Sequence, residues 1–291
     1  MSGGRLRTGA RLAASGAAGR DAAAAGGRGA GLVVVDTAGQ SSLPGHAAPG
    51  GAAPGWHTGA MQPTDRTRDD DGGETAAAAA WTAEEASAMD GWLIHERGFT
   101  LPALMEQAGA RVAEQAEALL DERALTRAVF LVGPGNNGGD ALVAERRLRA
   151  QRPALATALW RPLRDDAPPA LDARTLLVDG LFGVGLSRPV EGEARVAIEH
   201  VNASAACVLA IDIPSGLHAT TGAVLGAAIR ARRTVTFVGP KRGFFVGAGP
   251  AHVGEWRAVE IGFPAEEAVG WRDGRRAHGG EASRASDGPP G

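Results

Sequence analysis

The stretch Leu131-Val132-Gly133-Pro134-Gly135-Asn136-Asn137-Gly138-Gly139-Asp140 decides how this chain folds. Ahead of it stands an apolar run, Ala128-Val129-Phe130-Leu131-Val132, and behind it Ala141-Leu142-Val143-Ala144-Glu145-Arg146-Arg147-Leu148 has helical spacing. Strand, glycine loop and helix, in that order, aim backbone N–H groups at a bound anion. Gly133 to Gly138 also satisfies G-x-G-x-x-G, the dinucleotide-binding fingerprint. That fingerprint goes with an acidic residue about 20 positions further on, where it ends the second strand and holds the ribose hydroxyls. Here the second strand reads Ala154-Leu155-Ala156-Thr157-Ala158-Leu159-Trp160 and ends without an acid. The distinctive feature is instead an amide pair followed by Asp140. The chain has three asparagines, at 136, 137 and 202, and two of them are adjacent here.

Outward from this stretch, strands alternate with helices. Thr82-x-x-Glu85 is a capping box that predicts a helix to about Glu96. Leu104, Met105, Ala108, Val112 and Leu119 predict a second helix over 101–120. After Pro162, Pro168 and Pro169 comes the strand Thr175-Leu176-Leu177-Val178-Asp179, then a loop to Pro189 and a helix through Val196, Ile198 and Val201. Further strands are expected at 208–213, 233–238 and 255–261, the first of them ended by Pro214-Ser215-Gly216. Near-continuous apolar strands separated by helices give an α/β fold, a Rossmann-like three-layer sandwich with a mostly parallel sheet and helices on both faces. Ligands in such sheets bind beyond the carboxyl ends of the strands. Asn136, Asn137 and Asp140 follow the first strand, Asp179 ends the third, Asp212 and Ser215 follow the fourth, and Lys241 follows the fifth.

Composition bounds the rest. With 291 residues and a net charge of −3, the chain is expected to form one soluble domain with added segments. Residues 1–80 are rich in Ala, Gly, Arg and Pro and, apart from Leu32-Val33-Val34-Val35, offer little to bury, so they read as a disordered extension. Arg5, Arg7, Arg11 and Arg20 without an acid resemble an organelle transit peptide, but a plain extension or an early start codon is the simpler reading. The folded domain is expected over 81–264 and a disordered tail over 265–291. The single cysteine, Cys207, excludes an internal disulfide or a multi-cysteine zinc site and reads as a packing residue in a buried strand. Balanced charge implies no nucleic-acid partner, no apolar run is long enough to cross a membrane, and cytoplasmic placement is expected. Of thirty Lys plus Arg, Lys241 is the one lysine, which marks it as a position that uses a compact ammonium.

Asp179, Asn137 and Ser215 supply hard oxygen ligands from three loops, a set suited to a weakly charged cation; singly, each would read as a cap. Gly183-Val184-Gly185-Leu186-Ser187-Arg188-Pro189 offers backbone donors and a fixed cation for a phosphate. Asp212 and Lys241 form either an acid–base pair or an ordinary salt bridge. His218 and His252 are dispersed, no Ser-His-Asp set exists, and His218 reads as a loop residue.

Four motifs, Gly133 to Asp140, Asp179 to Pro189, Asp212-Ile213-Pro214-Ser215-Gly216 and Thr236 to Lys241, together with Leu104-Met105-Glu106-Gln107-Ala108-Gly109, occur in the order seen in NAD(P)H-hydrate epimerases. Over 81–264 the chain resembles this family, the YjeF N-terminal domains. The resemblance implies a homodimeric isomerase that interconverts the R and S epimers of NADH and NADPH hydrated at C6 of the nicotinamide ring, with a separate dehydratase consuming the S epimer. It implies a substrate site of Asn136, Asn137, Gly138, Gly139, Asp140, Gly183, Val184, Gly185, Leu186, Ser187, Arg188, Pro189 and Asp212. It further implies one potassium ion per subunit on Asn137, Asp179 and Ser215, and Asp212 as acid–base with Lys241 tuning it. Ala141 stands where the family usually has glycine, which predicts a looser approach of the helix start to a ligand. Val184 replaces threonine, His218 replaces aspartate, and the 161–174 link lacks a helix–strand unit. Two other readings compete: an inactive nucleotide- or protein-binding module of the same fold, and an NAD-dependent dehydrogenase, which lacks the ribose acid and any tyrosine.

Overall fold

All six expected strands form, and all six are parallel. The computed structural model describes residues 57–58, 70–164 and 167–284. Within these, β1 (His57–Thr58) precedes α1 (Asp70–Ala79), α2 (Ala83–His95) and α3 (Leu101–Glu122). There follow β2 (Arg127–Val132), α4 (Asn136–Gln151), β3 (Ala156–Trp160), β4 (Thr175–Gly180), α5 (Gly192–Ala203) and β5 (Cys207–Ile211). The chain then forms β6 (Arg233–Phe237), α6 (Gly249–His252), β7 (Glu255–Val259) and α7 (Ala265–Arg284). The sheet order is β1-β7-β6-β5-β4-β2-β3, with β1 antiparallel to β7.

Alternate strand residues fill two cores. Phe130, Val178, Leu209 and Val235 pack with Val112 and Leu119 of α3 and Ala144 and Leu148 of α4. Val129, Leu131, Leu177 and Val208 pack on the opposite face with Ala197, Ile198 and Val201 of α5. Both faces are therefore covered, as a parallel sheet of apolar strands requires. Val196, named with the apolar residues of α5, is instead 58% exposed. From β2 the chain goes outward through α4 to the edge strand β3, then returns to place β4 on the other side of β2. The ends of β2 and β4 thus flank a switch point, where open α/β sheets bind ligands. Among its described residues the short 161–174 link holds the 3-10 turn Pro162–Arg164 and no strand, and β3 pairs with β2 alone among the described strands.

Two boundaries differ from expectation. The 265–291 segment is not a disordered tail over its described part: α7 forms, Ala268 is fully buried, and Trp271 stacks on Trp92 at 5.3 Å. Arg272 of α7 is buried, lies over the Trp81 ring and donates to the Ala79 carbonyl oxygen. Likewise α1 and β1 fall within the segment expected to be disordered, and Ala77 and Ala80 are buried. The remaining expectations for 1–69, including Leu32 to Val35 and the transit-peptide likeness, lie outside the described residues, as does 285–291. Cys207 opens β5 and is only partly buried, because it sits at the amino end of the strand. Among the described residues, no helix is long and apolar enough to cross a membrane.

Candidate functional site

Asn136 to Asp140 are not a loop but the first turns of α4, with Gly135 at the N-cap. The glycines serve close packing. A side chain at Gly138 would run into the Gly133 carbonyl, and one at Gly139 would lie 2.6 Å from Met105 Cε. Gly138 and Gly139 therefore face protein, and neither lines the cavity described below. No side chain caps α4, so its first amide groups are left for another acceptor. Ala141 is fully buried and faces Gly180, so the glycine-to-alanine departure lies behind the site rather than at it.

A cavity of about 1080 Å³ opens over the switch point. Asn136, Asn137 and Asp140 from α4 line it, with Gly183, Val184, Gly185, Leu186, Ser187, Arg188 and Pro189 from the loop after β4. Asp212 and Lys241 complete that wall, and Leu101, Leu104, Met105, Leu163 and Ile261 add an apolar one. Arg188 is exposed at the rim.

Asp212 and Lys241 are the most constrained pair. Lys241 Nζ donates to Asp212 Oδ1 at 2.6 Å and to Thr236 Oγ1 at 2.9 Å, with the Phe237 and Gly239 carbonyls at 3.2 and 3.3 Å. Asp212 Oδ1 also accepts from Thr236 Oγ1 and the Phe237 N–H. Its other oxygen, Oδ2, accepts no hydrogen bond from a described residue. Two backbone positions here are strained: Asp212 has φ +62° and Val238 has φ +67°, a region costly for a β-branched residue. Such outliers persist where the surroundings over-determine them. Here the turn around Val238 brings two carbonyl oxygens onto one ammonium.

Asp179, Ser215 and Asn137 meet beneath this surface, all buried. Ser215 donates from N to Asp179 Oδ2 (2.8 Å) and from Oγ to Oδ1 (2.6 Å), and the Leu181 N–H also reaches Oδ1. Asn137 Nδ2 donates to the Phe182 carbonyl oxygen, and the Phe182 N–H to Ser215 Oγ. Burial pushes the Asp179 carboxyl up to about 6 against the pull of those hydrogen bonds, and no described cation pairs with it. A buried carboxylate in that state needs a proton or a cation. Among the described residues, no cluster of three His, Cys, Asp or Glu could hold a metal ion.

Two further carboxyls face the cavity. Asp140 is 8% exposed, and burial, reinforced by the charges of Asp212 and Asp90, pushes it up to about 8. Asp90 of α2 went unremarked in the sequence; burial and the Asp212 charge push it up to about 6, with Lys241 opposing. A signal for it was available: Asp90 lies four residues after Ala86 and three before Leu93, both buried. A carboxylate on an apolar helical stripe asks for an explanation. His218 is a loop residue, its Nδ1 accepting from the Thr220 and Thr221 N–H groups.

Known proteins match the chain along the segments that build this cavity. The sequence profile of the YjeF-related protein N-terminus matches residues 102–172 and 161–243. An NAD(P)H-hydrate epimerase of Limosilactobacillus fermentum is 34% identical over 194 residues, covering 60% of this chain and 92% of the relative. That of Levilactobacillus brevis is 34% identical, covering 65% and 96%. A bifunctional NAD(P)H-hydrate repair enzyme of Thermosynechococcus vestitus is 36% identical over 203 residues, 63% of this chain. The chain spans about 40% of the length of that bifunctional relative. Near-complete coverage of relatives a third identical to it, with the profile match, places this chain in the family of YjeF-related N-terminal domains.

Proposed function

We propose that the chain is an NAD(P)H-hydrate epimerase, an isomerase acting on NADH and NADPH hydrated at C6 of the nicotinamide ring. The observation that carries this reading is Asp212: one oxygen is fixed by Lys241, Thr236 and Phe237, and the other faces a cavity large enough for a nucleotide. The uncapped amides of α4 and the Gly183 to Pro189 loop, with Arg188, would receive phosphate oxygens. The apolar wall of Leu104, Met105 and Ile261 would exclude water from the ring.

In this mechanism the hydroxyl leaves C6 with a proton, the ring passes through a cation stabilised by the adjacent carboxylate, and water returns at either face. Asp212 moves the proton at C6, and Lys241 holds its carboxylate in place. Asp179, Ser215 Oγ and Asn137 would hold one potassium ion per subunit. Such an ion supplies a fixed positive charge that neutralises Asp179. The S epimer would pass to a separate dehydratase, and the working unit is a homodimer.

The test adds purified protein to the R epimer of hydrated NADH and separates the epimers by chiral-sensitive chromatography, with the spontaneous rate subtracted. Acceleration by the wild type that falls about 100-fold or more in Asp212→Asn supports the reading. Undiminished epimerisation by Asp212→Asn would remove Asp212 from its role.

A further inference from the structure

We propose that Asp90 is the second proton-transfer group of this chamber, working from the α2 wall while Asp212 works from the end of β5. The proposal rests on the epimerase reading above and extends it to a residue outside the four motifs. Asp90 and Asp212 line one cavity and come from different walls of it. The α2 wall is fastened beside the ion pair: the Trp81 N–H donates to the Pro240 carbonyl oxygen and the Arg242 N–H to that of Trp81. Asp90 is close enough to feel the charges of both Asp212 and Lys241. It is half-buried in mid-helix, yet among the described residues its carboxyl makes no hydrogen bond.

The neighbouring charges define its state. Lys241 is committed to Asp212 at 2.6 Å, and Asp140, more than nine-tenths buried and without a hydrogen-bond partner among the described residues, faces the same cavity. From α7, Arg276 pairs with Glu85 more than one turn earlier on α2 and Arg272 with Asp273, so neither compensates Asp90. One ammonium thus faces three carboxyls. One oxygen of Asp212 already accepts from three donors, whereas the Asp90 carboxyl on the other wall accepts from none among the described residues. Two carboxyls held this differently in one cavity divide the roles of acid and base.

Going from R to S, the C6–O bond breaks and its electron pair leaves with oxygen. The Asp90 proton goes to that oxygen, releasing water, and the N1 lone pair forms the ring cation. A solvent water then adds to C6 from the other face and gives its proton to Asp212. Asp90 ends ionised and Asp212 protonated, the arrangement needed for the reverse direction. Nothing is oxidised or reduced.

The experiment follows R-to-S conversion of hydrated NADH in water enriched in oxygen-18, with wild type, Asp90→Asn and Asp90→Glu, uncatalysed exchange being subtracted. We expect one solvent oxygen at C6 per wild-type turnover. Asp90→Asn should lower kcat about 100-fold with KM within about threefold, and Asp90→Glu should recover part of kcat. The wild-type kcat should be bell-shaped in pH, with one limb missing in Asp90→Asn. Wild-type epimerisation without label uptake, a measurement that needs no variant, overturns the proposal, as does Asp90→Asn retaining kcat within about threefold. Failure of the wild type to exceed the spontaneous rate overturns the epimerase reading itself, a separate result from acceleration that survives Asp90→Asn.

Discussion

Asp179 lies near the end of β4 and Asp212 follows β5, the strand hydrogen-bonded beside it, and the two carboxyls are satisfied in opposite ways. Asp212 has an internal counter-ion, the single lysine of the chain, and one oxygen left over. Asp179 is fully buried and has only hydrogen-bond donors, from Ser215 and Leu181. The proposed function uses that difference: it gives the chemistry to the carboxylate that has a resident cation and a free oxygen, and the potassium ion to the one that has neither.

The comparison breaks most visibly at Lys241. Lys241→Met leaves Asp212 among the Thr236 and Phe237 donors without its counter-charge, and an uncompensated buried charge costs about 3–5 kcal/mol. We expect that loss in urea denaturation and epimerisation near the spontaneous rate; a variant with wild-type stability and rate would contradict the pairing. Next is Asp179→Asn, which keeps the shape and removes the charge. It should cost about 1–3 kcal/mol through the lost acceptor. It should also abolish any rise in melting temperature between choline chloride and potassium chloride. If the variant still responded to potassium, the ion would bind elsewhere.

A pH series sharpens the contrast on the uncompensated side. Asp90 and Asp140 are raised to about 6 and about 8, so the folded protein holds protons that the unfolded chain releases. The stability they contribute is full below about pH 4 and is lost as pH rises through 6 for Asp90 and 8 for Asp140. Asp140→Asn should therefore flatten the fall in unfolding free energy between pH 6 and 8, while a slope equal to that of the wild type would contradict this burial account. The smallest effect is expected at Arg188. This rim residue is exposed, so Arg188→Ala should change stability by less than about 0.5 kcal/mol and raise KM for the phosphate-bearing substrate with kcat kept. An unchanged KM would remove it from phosphate binding.

Much of this was legible because parallel strands are written as short apolar runs between turn residues. The six runs became β2 to β7, and the residues that follow them met at one rim. Lys241 stood out by composition alone. The start of α4 was misread because Asn-Asn-Gly-Gly looks like a loop in isolation; only the approach of Gly138 to the Gly133 carbonyl shows why glycine is needed inside a helix. The α7 helix was hidden for a different reason. Its own composition is polar and contains Gly270 and Gly274, and its order comes from contacts nearly two hundred residues away, Arg272 on Trp81 and Arg276 on Glu85. Asp90 was missed because it lies in no motif, and its neighbours Asp212 and Lys241 come from distant segments.

The most direct test of the central claim is the initial rate of R-epimer loss with wild-type protein in potassium chloride and in choline chloride. We expect acceleration over the spontaneous reaction in potassium chloride and a clearly lower rate in choline chloride. A folded protein that leaves interconversion at the spontaneous rate in both salts would contradict the account.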